Sequence, residues 1–151
     1  AELAINNGAD FVWSLEKYKE YNPEYQSRYL DDKTPFKPGW LVSKKNLNRF
    51  VQIFGTTRER SSLNDLPKIF DSILIDGGHD KLSVVSDTMF ALEHTASKSY
   101  VIWDDYPAKI SDLNSTRQGV LDAIEELQET LNKEFDLYHI QGTSLLIGVR
   151  K

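Results

Sequence analysis

The chain has 151 residues, of which 40% are hydrophobic and 27% charged, and its formal net charge is −5. This size and composition predict one globular domain, residues 1–151, around one core. The negative charge argues against nucleic acid as a partner, because phosphate binding requires clustered Lys and Arg. The lack of cysteine excludes disulfides and thiolate zinc sites and is compatible with a cytoplasmic location. No apolar run approaches the roughly 20 residues that span a bilayer, so no membrane partner is expected.

The first half of the chain predicts a short helix, two strands and a long loop. Residues 1–7 form the helix, which an Asn-Gly pair ends, and Ala1 already has the setting of a helix interior. The strands are Phe11–Leu15 and Phe50–Phe54, both rich in apolar and aromatic side chains. Between them, the proline- and tyrosine-rich segment 18–40 predicts an irregular loop that could wall a substrate pocket.

The second half predicts strands alternating with helices. Strand 70–75 contains the run Ile73-Leu74-Ile75, which is typical of a parallel strand covered on both faces. Strand 100–103 has a similar apolar character. Strands 135–140 and 144–149 are separated by three residues and predict an antiparallel hairpin.

Two helices accompany these strands. The helix over 81–94 has apolar residues at helical spacing, namely Leu82, Val85, Met89 and Leu92. The helix over 115–133 opens with Ser115 and Gln118 at the spacing of a capping box. Its apolar stripe consists of Val120, Ala123, Ile124, Leu127 and Leu131.

This order of elements predicts an α/β fold, a Rossmann-like, doubly wound and mostly parallel sheet with a C-terminal antiparallel hairpin. In such sheets, ligands bind at the carboxyl ends of the strands. Because the chain opens inside a helix, we expect the domain to be incomplete at its N-terminus. The candidate functional residues follow the predicted strands directly.

The first candidate motif is Asp76-Gly77-Gly78-His79, at the end of strand 70–75. The glycines allow the backbone to pass close to a ligand, and His79 has the chemistry of a general base. The same residues would also suit an ordinary turn.

The second motif is Trp103-Asp104-Asp105-Tyr106, at the end of the next strand. Adjacent carboxylates repel each other unless a cation compensates them, and Mg²⁺ prefers oxygen ligands. Asp76, Asp104 and Asp105 therefore form a candidate metal set, with a helix cap or a solvated loop as the alternative.

Weaker candidates follow the two N-terminal strands. Glu16 stands where an acid accepts hydrogen bonds from a ribose in dinucleotide-binding folds, although it could equally be a surface residue. Thr56 and Thr57 follow the second strand and could line an adenine pocket. His94 at a helix end and His139 within a strand are interpreted as structural.

Several segments together resemble the class I S-adenosylmethionine-dependent methyltransferases of the DGGH/DDY type, which are methyltransferase domain 24-like. The similar segments are Phe70–His79, the helix carrying Val84 and Asp87, Val101–Tyr106, Gly119–Ile124 and Gly142–Gly148. They match the family patterns FDxIxIDGxH, V-x-x-D, an apolar residue before DDY, GVxxAV and the last strand. The resemblance covers residues 50–151.

The resemblance implies O-methylation of a small hydroxylated substrate, with S-adenosylmethionine as cofactor and Mg²⁺ as an optional one. It implies that His79 is the base, that Asp76, Asp104 and Asp105 hold the metal, and that Glu16 binds the cofactor ribose. Asp76 is also expected to line the cofactor site, with Thr56 and Thr57. The family's first strand and glycine-rich loop have no counterpart in this sequence.

Two other functions stay open from the sequence. One is a degenerate methyltransferase-like domain that serves as a binding or assembly module, and the other is a metal-dependent hydrolase that uses the same acids. A homo-oligomer and a place within a larger chain are both compatible with the sequence.

Overall fold

The computed structural model describes residues 1–17, 42–59, 63–64, 66–107 and 109–151. The predicted loop over 18–40 lies outside these residues. The chain divides into two compact units, Ala1–Leu66 and Pro67–Lys151. The elements in chain order are α1 (Glu2–Asn6), β1 (Val12–Glu16), a 3-10 helix (Lys44–Arg49), β2 (Phe50–Phe54), β3 (Phe70–Ile75), α2 (Lys81–His94), β4 (Thr95–Trp103), a second 3-10 helix (Ile110–Asp112), α3 (Ser115–Glu126), α4 (Gln128–Glu134), β5 (Phe135–His139) and β6 (Leu146–Arg150).

The N-terminal unit contains the predicted helix and both predicted strands. Gly8 follows α1 with φ of +104°, a left-handed conformation that glycine adopts readily, so the predicted helix stop is confirmed. Strands β1 and β2 pair in parallel and end together, with Glu16 beside Phe54. The amide of Gly55 donates to the carbonyl of Glu16 at 2.9 Å, which extends the pairing by one residue.

A polar cluster joins α1 to the first 3-10 helix of this unit. The Glu2 carboxylate accepts 3.0 Å hydrogen bonds from the Ser43 amide, the Ser43 hydroxyl and the Asn46 side chain. Because the Ser43 amide and then Asn46 favour its ionised form, the pKa of Glu2 falls to about 2. Hydrogen bonds to one carboxylate therefore link these two elements.

The C-terminal unit is a four-stranded sheet in the order β3-β4-β6-β5. Strands β3 and β4 are parallel, whereas β6 pairs antiparallel with both β4 and β5. The predicted α/β class and the terminal hairpin are thus confirmed. The insertion of β6 beside β4 brings the start of the last strand next to the end of β4.

The core of this unit lies between the sheet and its helices. Trp103 is fully buried, and its indole donates a 2.9 Å hydrogen bond to the Thr88 hydroxyl on α2. Its ring meets Phe135 edge to face, with centroids 6.0 Å apart. Leu131 on α4 is also fully buried, as the predicted stripe requires. Trp103 thereby fixes the end of β4 immediately before the two adjacent acids.

The stripe predicted for α2 is wrong at two positions. Leu82 is 70% exposed and Met89 43% exposed, while the buried residues of the helix are Val84, Thr88 and Ala91. Hydropathy alone does not identify the buried face of α2, because the residue at its centre, Thr88, is polar. The bond from Trp103 makes burial of that hydroxyl favourable.

The helix predicted over 115–133 is divided at Leu127 into α3 and α4. Its start also differs from the prediction, since the Asn114 side chain accepts from the Arg117 amide at 2.9 Å. Asn114 therefore caps α3 in place of the predicted box of Ser115 and Gln118. The Gln118 side chain instead donates to Asp122 within the helix.

The prediction that strand 70–75 is covered on both faces is also wrong. Leu74 is 61% exposed, whereas its neighbours Ile73 and Ile75 belong to the core. Among the described residues, helix side chains of this unit pack in one cluster with Ile73 and Ile75. Among the described residues, none of the helices combines the length and the apolar character that crossing a bilayer would require.

Candidate functional site

The loop after β3 is tightly packed against the start of α2. A Cβ added at Gly78 would lie 2.9 Å from the Ser83 hydroxyl, and one at Gly77 would lie 3.3 Å from an oxygen of Asp87. Asp80 caps α2 by accepting from the Ser83 amide at 3.0 Å. The glycines and the cap together fix the course of the loop that carries His79.

The two predicted motifs meet at one edge of the sheet. The Asp104 amide donates to the Ile75 carbonyl at 3.1 Å, so β3 and β4 end side by side. The His79 Nε2 atom lies 3.2 Å from Asp105 Oδ2 and 3.9 Å from Asp76 Oδ1. The structure thus brings together the histidine and two of the three acids that the sequence places after these strands.

The His79–Asp105 contact has the distance of an ion pair without the alignment of a hydrogen bond. The Nε2 atom is buried and has no aligned partner among the described residues. Such contacts at catalytic pairs are often poorly aligned before a substrate binds. About a third of the His79 side chain (32%) and of Asp105 (28%) is exposed, so both groups can be reached from solvent.

Negative charge accumulates around Asp76. Partial burial raises the pKa of this carboxyl above its usual value, and the carboxylate of Asp104 and then that of Asp105 act in the same direction. His79 opposes them. The edge of the sheet is therefore a place where additional positive charge is stabilised.

Asp104 has a structural role that the sequence does not reveal. Its Oδ1 atom accepts hydrogen bonds from the Asp105 amide at 2.7 Å and from the Ser144 hydroxyl at 3.0 Å. The Ser144 carbonyl in turn accepts from the Tyr106 amide at 2.9 Å. These bonds tie the end of β4 to the residues just before β6.

Arg117 and Gly119, both on α3, are the site residues that sequence reasoning missed. The Arg117 Nε atom lies 3.4 Å from Asp105 Oδ1. A Cβ added at Gly119 would lie only 2.2 Å from the His79 carbonyl oxygen, so the helix approaches the loop backbone more closely than any other residue would permit. The match of Gly119–Ile124 to a family helix was the available signal for Gly119, although it assigned this residue no role, and no pattern in the sequence indicated Arg117.

An open cleft of about 500 Å³ lies beside this cluster. Its lining consists of Lys109, Asp112, Arg117 and residues 141–144. This volume is within the range of small-molecule sites. Through Arg117, the cleft adjoins the Asp105 carboxylate.

The cofactor residues predicted from the first half of the chain lie in the N-terminal unit. Glu16 ends β1, and Thr56 and Thr57 follow β2 after Gly55, at the same end of the parallel pair. The Glu16 carboxylate accepts a 3.2 Å bond from the Lys17 amide. An acid at such a strand end fits the hydroxyls of a ribose, and this role stays a prediction.

The predicted metal ligands are not arranged as a metal centre. Across the described parts of the chain, no three His, Asp or Glu side chains are placed to share one ion. The two oxygens of Asp105 face His79 and Arg117 respectively. The metal role of Asp76, Asp104 and Asp105 stays a prediction.

The other two histidines make local contacts. His94 Nδ1 lies 2.9 Å from the Phe90 carbonyl oxygen, and its ring stacks on that of Phe90 with centroids 4.0 Å apart. His139 Nε2 lies 3.0 Å from the Thr143 carbonyl oxygen near the hairpin turn. These contacts agree with the structural interpretation of both residues.

Comparisons with known proteins show which solved structures have a similar fold. No protein-family model and no curated protein matches the sequence. Among solved structures, the O-methyltransferase NovP superposes with a TM-score of 0.59 at 16% identity, covering 99% of this chain and 64% of NovP. An O-methyltransferase from Bacillus cereus, in complex with SAH, gives a TM-score of 0.55 at 15% identity, covering 93% of this chain and 63% of that one.

A third similar structure is the MycE methyltransferase of the mycinamycin biosynthetic pathway, in complex with Mg and SAH. Its TM-score is 0.53 at 14% identity, and the alignment covers 97% of this chain and 46% of MycE. The chain thus spans less than two thirds of the length of these proteins. At this level of identity the likeness concerns the fold, and the chain has the α/β fold that these methyltransferases share.

Proposed function

We propose that this chain belongs to an S-adenosylmethionine-dependent O-methyltransferase that acts on a small hydroxylated substrate. The observation that carries the proposal is the pair formed by His79 Nε2 and Asp105 Oδ2, 3.2 Å apart at the carboxyl ends of β3 and β4. The shared fold and the SAH bound to two of the similar proteins support the choice of cofactor.

In this proposal His79 is the general base. Asp105 faces Nε2 and favours the tautomer with hydrogen on that atom, which leaves the lone pair of Nδ1 to accept the proton of the substrate hydroxyl. When bound, S-adenosylmethionine supplies a methyl group on a positively charged sulfur. As His79 takes the proton, the substrate oxygen forms a bond to the methyl carbon, and the electrons of the carbon–sulfur bond remain on sulfur.

Other residues of the chain would bind and orient the reactants. Glu16 would accept hydrogen bonds from the cofactor ribose, and Thr56 and Thr57 would lie against its adenine. The open cleft lined by Arg117, whose side chain contacts Asp105, would hold the acceptor. Holding two reactants in line contributes much of the acceleration in such a transfer.

The first experiment is calorimetric titration of the full chain with S-adenosylhomocysteine. Saturable binding is expected, and Glu16→Ala should weaken it. Lack of binding would contradict the proposal and favour the alternative of a binding or assembly module.

The second experiment follows transfer of a radiolabelled methyl group from S-adenosylmethionine to catechols and to simple glycosides. His79→Gln should reduce the rate by about 10²-fold or more, the usual contribution of a general base. His94→Gln is the matched control, because His94 lies at the opposite end of α2. Equal rates for the two variants would remove His79 from the mechanism, and assays with Mg²⁺ and with EDTA would test the predicted metal role.

A further inference from the structure

The Asp105 carboxylate lies between two side chains from different elements, the imidazole of His79 and the guanidinium of Arg117. Its Oδ2 atom lies 3.2 Å from His79 Nε2, and its Oδ1 atom lies 3.4 Å from Arg117 Nε. The side chains of Arg117 and Asp105 are only 29% and 28% exposed. Partial removal from water strengthens such a contact relative to a pair on the open surface.

The backbone of Asp105 has an uncommon conformation. Its φ of +54° lies in the left-handed region, which costs a non-glycine residue on the order of 1 kcal/mol. The conformation is maintained by the bond from the Asp105 amide to Asp104 Oδ1, which Ser144 also supports.

Arg117 is itself placed by the first turn of α3. Its amide is capped by Asn114, and its Nη1 atom is 3.5 Å from the Asp112 carbonyl oxygen. Two residues later, Gly119 contacts the backbone of His79. One helical turn thus contacts the histidine loop directly and, through Asp105, the histidine ring.

We propose that Arg117 is a positioning residue, whose guanidinium holds Asp105 against His79 and supplies the positive charge that a divalent cation would otherwise bring to this edge. The effect of Arg117 on catalysis rests on the proposed function, in which His79 is the general base. The guanidinium is charged at every physiological pH, so it compensates Asp105 permanently. His79 is then oriented without bound metal.

The test uses long-range proton–nitrogen NMR spectra of the imidazole rings, at a pH where they are neutral. The chain has three histidines, so His94 and His139 serve as internal controls for folding. The wild-type His79 is expected to carry its hydrogen on Nε2, and EDTA or millimolar Mg²⁺ should not change its signals. Asp105→Asn should shift them.

Arg117→Met should shift the His79 signals in the same direction as Asp105→Asn, and the double variant should match Asp105→Asn alone, because Arg117 acts through that carboxylate. Arg117→Lys keeps the charge and should retain most of the wild-type pattern. Wild-type signals in Arg117→Met, or a double variant shifted beyond Asp105→Asn, would overturn the proposal. So would His79 signals that move when EDTA is added.

A kinetic arm separates this inference from the proposed function. If the wild type transfers methyl groups, Arg117→Met should lower kcat by roughly tenfold or more, a part of the 10²- to 10⁴-fold that a general base contributes. Arg117→Lys should recover most of that loss. A wild type that transfers no methyl group would count against the proposed function, while the NMR spectra would still decide the role of Arg117.

Discussion

Both units of the chain place an acid at the end of a parallel strand, yet the surroundings of the two acids differ. In the N-terminal unit Glu16 accepts a bond from the adjacent Lys17 amide. In the C-terminal unit Asp105 lies between His79 and Arg117, two residues after a strand that ends in a fully buried tryptophan. Among the described residues, the strand-end acid beside the packed core contacts side chains from two other elements, the histidine loop and α3.

The largest expected effect is a loss of stability when the core of the C-terminal unit is disrupted. Trp103→Ala should lower the free energy of unfolding of the C-terminal unit by about 3–5 kcal/mol, because it leaves a cavity and removes the donor to Thr88. Equilibrium urea unfolding followed by circular dichroism measures the change. Trp13→Ala, at a half-buried position in β1, is the matched variant of the N-terminal unit and should cost clearly less. Equal losses would remove the contrast between the units.

The next effect concerns the contact between α3 and the histidine loop. Gly119→Ala should destabilise the chain by about 1–3 kcal/mol, since the new methyl group would overlap the His79 carbonyl oxygen. Thermal unfolding measures the loss. Glu125→Ala, at an exposed position of the same helix, should change stability little. A stabilised Gly119→Ala variant, as helix propensity alone would predict, would show that the close approach does not occur.

A smaller effect of opposite sign is expected at the acidic edge. Because the pKa of Asp76 is raised above 3.8 in the folded chain, its ionised form opposes folding at neutral pH. Asp76→Asn should therefore raise Tm at neutral pH, and the gain should disappear as the pH falls below about 3.8. Thermal melts across this range measure it, with Asp71→Asn on the exposed part of β3 as the control. A variant that is less stable at neutral pH would contradict the charge argument.

The smallest effect belongs to the N-terminal unit and has the opposite pH dependence. The pKa of Glu2 is lowered from 4.5 to about 2, so its contribution to stability is complete above pH 4.5 and is lost as the pH falls towards 2. Glu2→Gln should lower Tm at neutral pH and approach the wild type near pH 2. Asp10→Asn is an exposed control in the same unit. A Tm difference that stays constant over this range would exclude the carboxylate as its cause.

Much of the local structure could be predicted from the sequence. The bounds of β2, β3 and α2 agree with the predicted ones, because apolar runs and turn residues specify them locally. The same holds for the placement of His79 and Asp105 at neighbouring strand ends, which follows from parallel pairing. The sequence therefore determined the α/β class and the two motifs that approach each other.

The tertiary structure alone decided what surrounds these motifs. Arg117 contacts an acid 12 residues earlier, and Ser144 donates to an acid 40 residues earlier. Such contacts depend on the helix packing and on the insertion of β6 beside β4, which leave no periodic pattern in the sequence. The buried face of α2 was not predicted for a related reason. Burial of the Thr88 hydroxyl is favourable because the distant Trp103 indole donates a hydrogen bond to it. Local patterns specify the elements, whereas the partners of a charged or polar side chain are fixed only once the elements pack together.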